Sequence, residues 1–172
     1  MRVQPSLSTP LSPGFRVLNV QPNSPASYVV VFPSADAARD GLRSPLHGSL
    51  TSYLDFIISV NGEVLASEDA EFFAEEIRTN AGQPVILEVY NVKCQKLRTV
   101  QVVPRDDWGG DGLMGLHIKW DSIDGCAESV LHVADVAPSS PAAIAGLIGG
   151  DDYILGGVDG VFSNVCVENV GG

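Results

Sequence analysis

The reactive side chains of this sequence fall in patterns that do not assemble a catalytic or metal site. Histidines occur at His47, His117 and His132, and none lies in a nucleophile motif such as Gly-x-Ser-x-Gly. His117 and His132 fall on predicted strands, where a histidine satisfied by a structural hydrogen bond is the ordinary case. Asp106-Asp107 and Asp151-Asp152 fall in turns, where carboxylates cap backbone or face water rather than share general acid–base work. Glu75-Glu76 reads as the wet face of a helix. Cys94, Cys126 and Cys166 are too few and too scattered for a disulfide framework. They show no Cys-x-x-Cys or Cys/His spacing, a structural zinc would take four ligands, and free thiols of a reducing compartment fit them. With no phosphate-binding loop or dinucleotide fingerprint either, the sequence names no catalytic residue, no metal ligand and no cofactor.

Charge and hydropathy narrow the remaining classes. The 172 residues are 45% apolar and 18% charged, so a packed core is expected rather than wholesale disorder. The formal net charge is −11. Residues 1–53 carry four basic and two acidic side chains, whereas residues 54–172 carry six and nineteen. Nucleic-acid binding needs clustered basic residues, and this chain has the opposite. An anionic membrane would repel the acidic part, so attachment would need a lipid or a partner. The longest apolar run, Tyr28 to Phe32, is far short of the roughly 20 residues of a spanning helix. The start of the chain is rich in Pro and Ser and shows no signal peptide; residues 1–13 are expected to be disordered.

Eighteen glycines and eleven prolines favour many short strands joined by turns. Phe15–Val20 reads as a strand stopped at Gln21-Pro22-Asn23. Phe56–Val60 is a short apolar run closed by Asn61-Gly62, a strong hairpin signal. Val85–Tyr90 and Thr99–Val103 flank the polar stretch Lys93–Arg98 and predict a second hairpin. Ser67 to Thr79 predicts a helix, with Ser67 as its cap and Phe73 and Ile77 on one face at i, i+4. The expected fold class is mainly β with short helices.

An internal repeat organises these elements. Val-Leu-Asn-Val-Gln-Pro-Asn-Ser-Pro-Ala (17–26) returns as Val-Ala-Asp-Val-Ala-Pro-Ser-Ser-Pro-Ala (133–142), and Asp55-Phe56-Ile57-Ile58 returns as Asp152-Tyr153-Ile154-Leu155. The two offsets, 116 and 97 residues, leave the first copy 19 residues longer between the motifs. Each copy reads as a strand, a Ser-Pro-Ala entry into a short helix, a glycine turn and an Asp-led apolar strand. In the second copy Gly146 is placed to stop the helix in a left-handed conformation. Two copies of one small module is the organisation this predicts.

The repeated pattern resembles PDZ domains of the permuted, bacterial type. The joint between the copies, Trp108-Gly109-Gly110-Asp111-Gly112-Leu113-Met114-Gly115-Leu116, resembles the Trp-Gly-Gly signature of the Golgi reassembly stacking protein (GRASP) family. Gly14-Phe15-Arg16-Val17-Leu18, Val102-Val103-Pro104 and Ser122-Ile123-Asp124-Gly125 resemble that family at the flanks. The resemblance covers about residues 14–26 and 54–164. It implies tandem PDZ-like domains: domain 1 over 14–120, with an insertion at about 27–53, and an incomplete domain 2 over 121–172.

A PDZ fold captures an extended peptide by adding it as a strand to an open sheet edge beside a helix. On that footing Gly112-Leu113-Met114-Gly115 is the loop whose N–H groups receive a carboxylate or a turn. Leu116-His117-Ile118 is the pairing strand, and Phe73 and Ile77 are the far wall. The expected groove residues are therefore Leu113, Met114, Gly115, Leu116, Ile118, Phe73 and Ile77. The resemblance implies a peptide-binding adaptor and tether, not an enzyme, peripheral on the cytoplasmic face of Golgi membranes and otherwise cytoplasmic. It would bind golgins and C-terminal tails of membrane proteins, with homo-oligomerisation through the same contacts, and contribute to cisternal stacking, protein transport and unconventional secretion. The competing readings are a regulatory substrate-binding PDZ module of a protease and a truncated, non-functional fragment.

Three departures from the family pattern bear on these expectations. Met1-Arg2 lacks the glycine that N-myristoylation requires, so either the true start differs or anchoring depends on partners alone. The second copy stops before its closing hairpin, which predicts exposed strand edges and a weakly stable second half. The insertion contains the β-prone run Tyr28–Phe32 and the displaced helix end Ala37-Ala38-Arg39-Asp40-Gly41-Leu42. It reads either as a loop that extends a strand or as translated intron sequence.

Overall fold

Burial alternates strictly over Val85–Asn91, the central strand. In the computed structural model, which describes residues 13–33, 44–124, 126, 131–157 and 160–161, Val85, Leu87 and Val89 turn inward and are fully buried. The chain forms two units, Met1–Asp124 and Gly125–Gly172.

Unit 1 is an antiparallel sheet. Its strands are β1 (Gly14–Val20), β2 (Val29–Val31), β3 (Leu46–Gly48), β4 (Asp55–Val60), β5 (Glu63–Val64), β6 (Val85–Asn91), β7 (Lys96–Val102) and β8 (Leu116–Asp121). They lie in the order β3-β2-β7-β6-β4-β1-β8, with β5 paired to β4. Two tight turns set the register. Asn61 (φ 50°) and Gly62 (φ 87°) are both left-handed, so β4 and β5 pair as Val60↔Glu63 across a two-residue hairpin. The Asn61 side chain also accepts from the Ile86 N–H at 3.0 Å and donates to Glu76 at 3.1 Å. Between β6 and β7, Asn91 Oδ1 accepts from the N–H groups of Lys93 and Cys94, both at 3.1 Å.

That second turn corrects the sequence reading. The strand begins at Lys96, not Thr99, because the ladder runs on through Tyr90↔Leu97 and Asn91↔Lys96. The polar stretch of β7 is strand with wet side chains, and one of them, Arg98, is drawn to Asp55.

The helix α1 (Ala70–Thr79) is capped by Asp69, whose Oδ1 accepts from the Glu71 N–H at 2.9 Å. Ser67 is not the cap; its hydroxyl accepts from the Asp69 N–H at 3.3 Å and shapes the approach. Phe73 and Ile77 share the inner face and are each 5% exposed. Phe73 lies 5.9 Å from Phe15 on β1, in a core with Val17, Ile57, Val60 and Leu87.

The first Ser-Pro-Ala motif enters only a 3-10 turn, Pro25–Ser27. The insertion then supplies β2 and β3. Val30 pairs with Gln101 and His47, and Val29 is fully buried, so the Tyr28–Phe32 run extends the sheet. The Ala37–Leu42 segment lies outside the described residues, as does the expected disordered N-terminus apart from Pro13.

Unit 2 holds β9 (Leu131–His132) paired with β10 (Tyr153–Ile154), α2 (Pro141–Ile144), and β11 (Gly156–Gly157) paired with β12 (Gly160–Val161). Ser140 caps α2 by accepting from the Ala143 N–H at 3.2 Å, and Gly146 (φ 87°) ends it as expected.

The duplication is visible in the hydrogen bonding of both Asp-led strands. Asp55 accepts from the Thr51 N–H at 2.7 Å while its own N–H donates back to the Thr51 carbonyl at 3.1 Å. Asp152 repeats this with Ile148, at 2.8 and 3.2 Å. In unit 1 the carboxylate is fully buried and takes two more donors, Asn91 Nδ2 at 2.7 Å and Arg98 at 2.6 Å. Removing it leaves these donors facing a void, which typically costs about 3–5 kcal/mol. Asp55→Ala should therefore lower the urea midpoint of unit 1 by an amount equivalent to roughly that range. Tryptophan fluorescence reads this unit alone, since both tryptophans, Trp108 and Trp120, lie in it.

Candidate functional site

The segment from Trp108 to Leu116 is a clasp built on glycine. Gly109, Gly112 and Gly115 have φ of 90°, 73° and 66°, in the left-handed region that side chains resist. The indole of Trp108 folds back over its own loop and donates from Nε1 to the Gly112 carbonyl at 2.8 Å. A Cβ on Gly110 would fall 2.1 Å from that ring, and one on Gly115 would fall 2.2 Å from the Cβ of Ser24. Ser24 is completely buried and its hydroxyl has no hydrogen-bond partner, so at this position it serves as a small packing surface.

Three successive carbonyls of the loop are held by the body of unit 1. Leu113 accepts from the Arg105 N–H at 2.9 Å, Met114 from Ala26 at 3.1 Å and Gly115 from Gln21 at 2.9 Å. Every described peptide here is trans, so the N–H sharing a plane with each carbonyl points the opposite way. The N–H groups of Met114, Gly115 and Leu116 are thereby aimed away from the pinned carbonyls. Those of Met114 and Gly115 bond to no described residue. A short row of unpaired N–H groups is the kind of donor set that receives a carboxylate or carbonyl oxygen.

The loop feeds β8. Its inner edge pairs with β1 as Val20↔Leu116, Val17↔Ile118 and Phe15↔Trp120; among the described residues no strand pairs with its outer edge. Leu116, Ile118 and Trp120 are half-buried and pack on the core, with Trp120 edge-on to Phe15 at 5.0 Å.

The structure brings most of the expected groove residues to one place. Leu113, Met114, Gly115, Leu116 and Ile118 form the loop and the open strand, with Met114 itself 6% exposed. Phe73 and Ile77 are core residues, each 5% exposed, with Phe73 5.9 Å from Phe15, so they present little surface to a ligand. The sequence reading passed over Ser24 and Ala26 as anchors of the loop and Trp120 as part of the floor. The neighbouring Ser-Pro-Ala and Trp-Gly-Gly motifs held that signal, since one packs on the other.

An antiparallel sheet with a glycine loop leading into an open edge strand, and a helix packed beneath, defines a PDZ-like domain. The chain belongs to the GRASP55/65 PDZ-like domain family, whose model matches residues 42–118 and 87–167. It is similar to Golgi reassembly-stacking protein 1 of Mus musculus, 40% identical over 143 residues, and of Homo sapiens, 38% identical over 143 residues. An uncharacterised protein of Schizosaccharomyces pombe is 30% identical over 150 residues, 87% of this chain and 36% of that protein. The mouse and human matches cover 83% of this chain, which spans 28% of the length of each.

Gly115→Ala places a methyl group against Ser24 in a left-handed conformation. It should destabilise unit 1 by on the order of 2–4 kcal/mol in urea unfolding, whereas Gly62→Ala, which meets nothing within 4 Å, should lose only about 1 kcal/mol.

Proposed function

We propose that unit 1 is a peptide-capture module and that the chain works as an adaptor in Golgi organisation. The observation that carries this is the pinning of the Leu113, Met114 and Gly115 carbonyls, which leaves N–H groups free beside an unpaired strand edge. A tail peptide would add antiparallel to β8, with its terminal carboxylate at the Met114 and Gly115 N–H groups and apolar side chains on Leu113, Leu116 and Ile118. Main-chain bonds supply the affinity, and the alternate side chains supply selectivity.

Family membership and the names of the mouse and human relatives support a role in Golgi stacking or organisation; in this reading golgins and C-terminal tails of membrane proteins would be the partners. Weak single contacts between adaptors on facing membranes would sum by multivalency. No described helix is long and apolar enough to cross a membrane, and this reading places the chain peripherally on the cytoplasmic face, held there by its partners. Roles in protein transport and unconventional secretion would follow from the same tail capture.

Fluorescence polarisation with golgin and membrane-protein tail peptides tests this reading. A free-carboxylate peptide should bind saturably, and its C-terminal amide should bind about tenfold more weakly through loss of a charge-assisted hydrogen bond. Leu116→Asp, which puts a charge on the groove floor, should abolish binding while leaving unit 1 folded by tryptophan fluorescence. Equal binding of acid and amide would remove the loop from the mechanism, and no binding by the folded wild-type chain would refute the groove.

A further inference from the structure

The two faces of β8 differ in chemistry. Leu116, Ile118 and Trp120 pack on the core, while the intervening His117 and Lys119 are exposed. Lys119 makes no ion pair among the described residues, and His117 has no hydrogen-bond partner outside the strand ladder. Opposite Lys119 on β1 stands Arg16, whose Nε lies 3.2 Å from the Asp121 carboxylate. The acid at the end of the strand is thus already engaged by arginine, and Lys119 keeps its charge unshared.

We propose that the strand captured by β8 alternates apolar with acidic side chains, the acidic ones facing Lys119 and His117. This deepens the peptide-capture reading and rests on it. Side chains of a strand alternate between faces, so a peptide whose apolar residues meet Leu116 and Ile118 must turn the intervening ones toward His117 and Lys119. Residues directly opposite across an antiparallel pair come within about 5 Å. At that distance Lys119 offers an ammonium group, and His117 a ring N–H donor.

The net charge of −11 points the other way, toward basic peptides. Screening decides between them: at physiological salt, charges more than about 8 Å apart are largely hidden from each other. The distant carboxylates fade, and the cross-strand neighbour dominates.

Three peptides matched except at alternate positions test this on the full chain: acetyl-Gly-Glu-Val-Glu-Val, acetyl-Gly-Gln-Val-Gln-Val and acetyl-Gly-Lys-Val-Lys-Val, each with a free carboxyl end. Opposite-charge cross-strand pairs predict about tenfold tighter binding of the Glu peptide than the Gln peptide when both positions act, with the Lys peptide weakest. Lys119→Glu should reverse the order. Lys119→Gln should flatten it, and serves where the reversed variant unfolds by tryptophan fluorescence. Equal affinity for Glu and Gln peptides, or tightest binding of the Lys peptide, overturns the proposal while leaving peptide capture intact. Failure of all three to bind the folded chain overturns both.

Discussion

Everything at the candidate site depends on the contact between Ser-Pro-Ala at residues 24–26 and the glycine loop at 112–115. Ser24 fills the space that a side chain on Gly115 would need, and Ala26 and Gln21 hold the Met114 and Gly115 carbonyls. Because a peptide unit is planar, fixing the carbonyl fixes the N–H on its other side. Without these bonds the loop would be a flexible glycine run with no preferred direction. With them its donors hold one direction, which under the proposed reading would lower the ordering cost of capturing a peptide.

Phe15 transmits that order to the rest of the unit. Its ring sits between Phe73 of α1 and Trp120 of β8, so helix and edge strand are braced against one side chain. The Asp55 network continues the same face of the sheet beyond that core by tying Thr51, Asn91 and Arg98 to one buried carboxylate. The same backbone exchange survives around Asp152 without the arginine. What the two copies share is a local backbone lock, and what unit 1 adds is a long-range ionic tie.

The parts of the fold legible in the sequence were those governed by nearest neighbours. The Val85–Tyr90 strand, the Asn61-Gly62 turn, the Phe73/Ile77 face and the Gly146 stop each depend on a few adjacent residues. Errors arose where two local solutions compete. Ser67 and Asp69 are both good caps, and the backbone chose the second because Asp69 reaches the Glu71 N–H directly. Lys96–Arg98 looked like a turn by composition, yet β6 offered it ladder partners to the end. The glycine loop and the strand after it were readable as a unit. Its orientation was not, because that depends on bonds such as Ala26 to Met114, which join residues far apart in the chain.

The insertion joins the sheet at its far end. Yet β2 begins at Val29, two residues past the Pro25–Ser27 turn, and Ala26 in that turn donates to the Met114 carbonyl at 3.1 Å and accepts from the Leu50 N–H at 3.2 Å. The described parts of the insertion are therefore tied to the glycine loop through Ala26, and changes in them across evolution would be felt at the start of β8. A dye attached at the exposed Tyr28 would accordingly register the state of the glycine loop rather than stand clear of it.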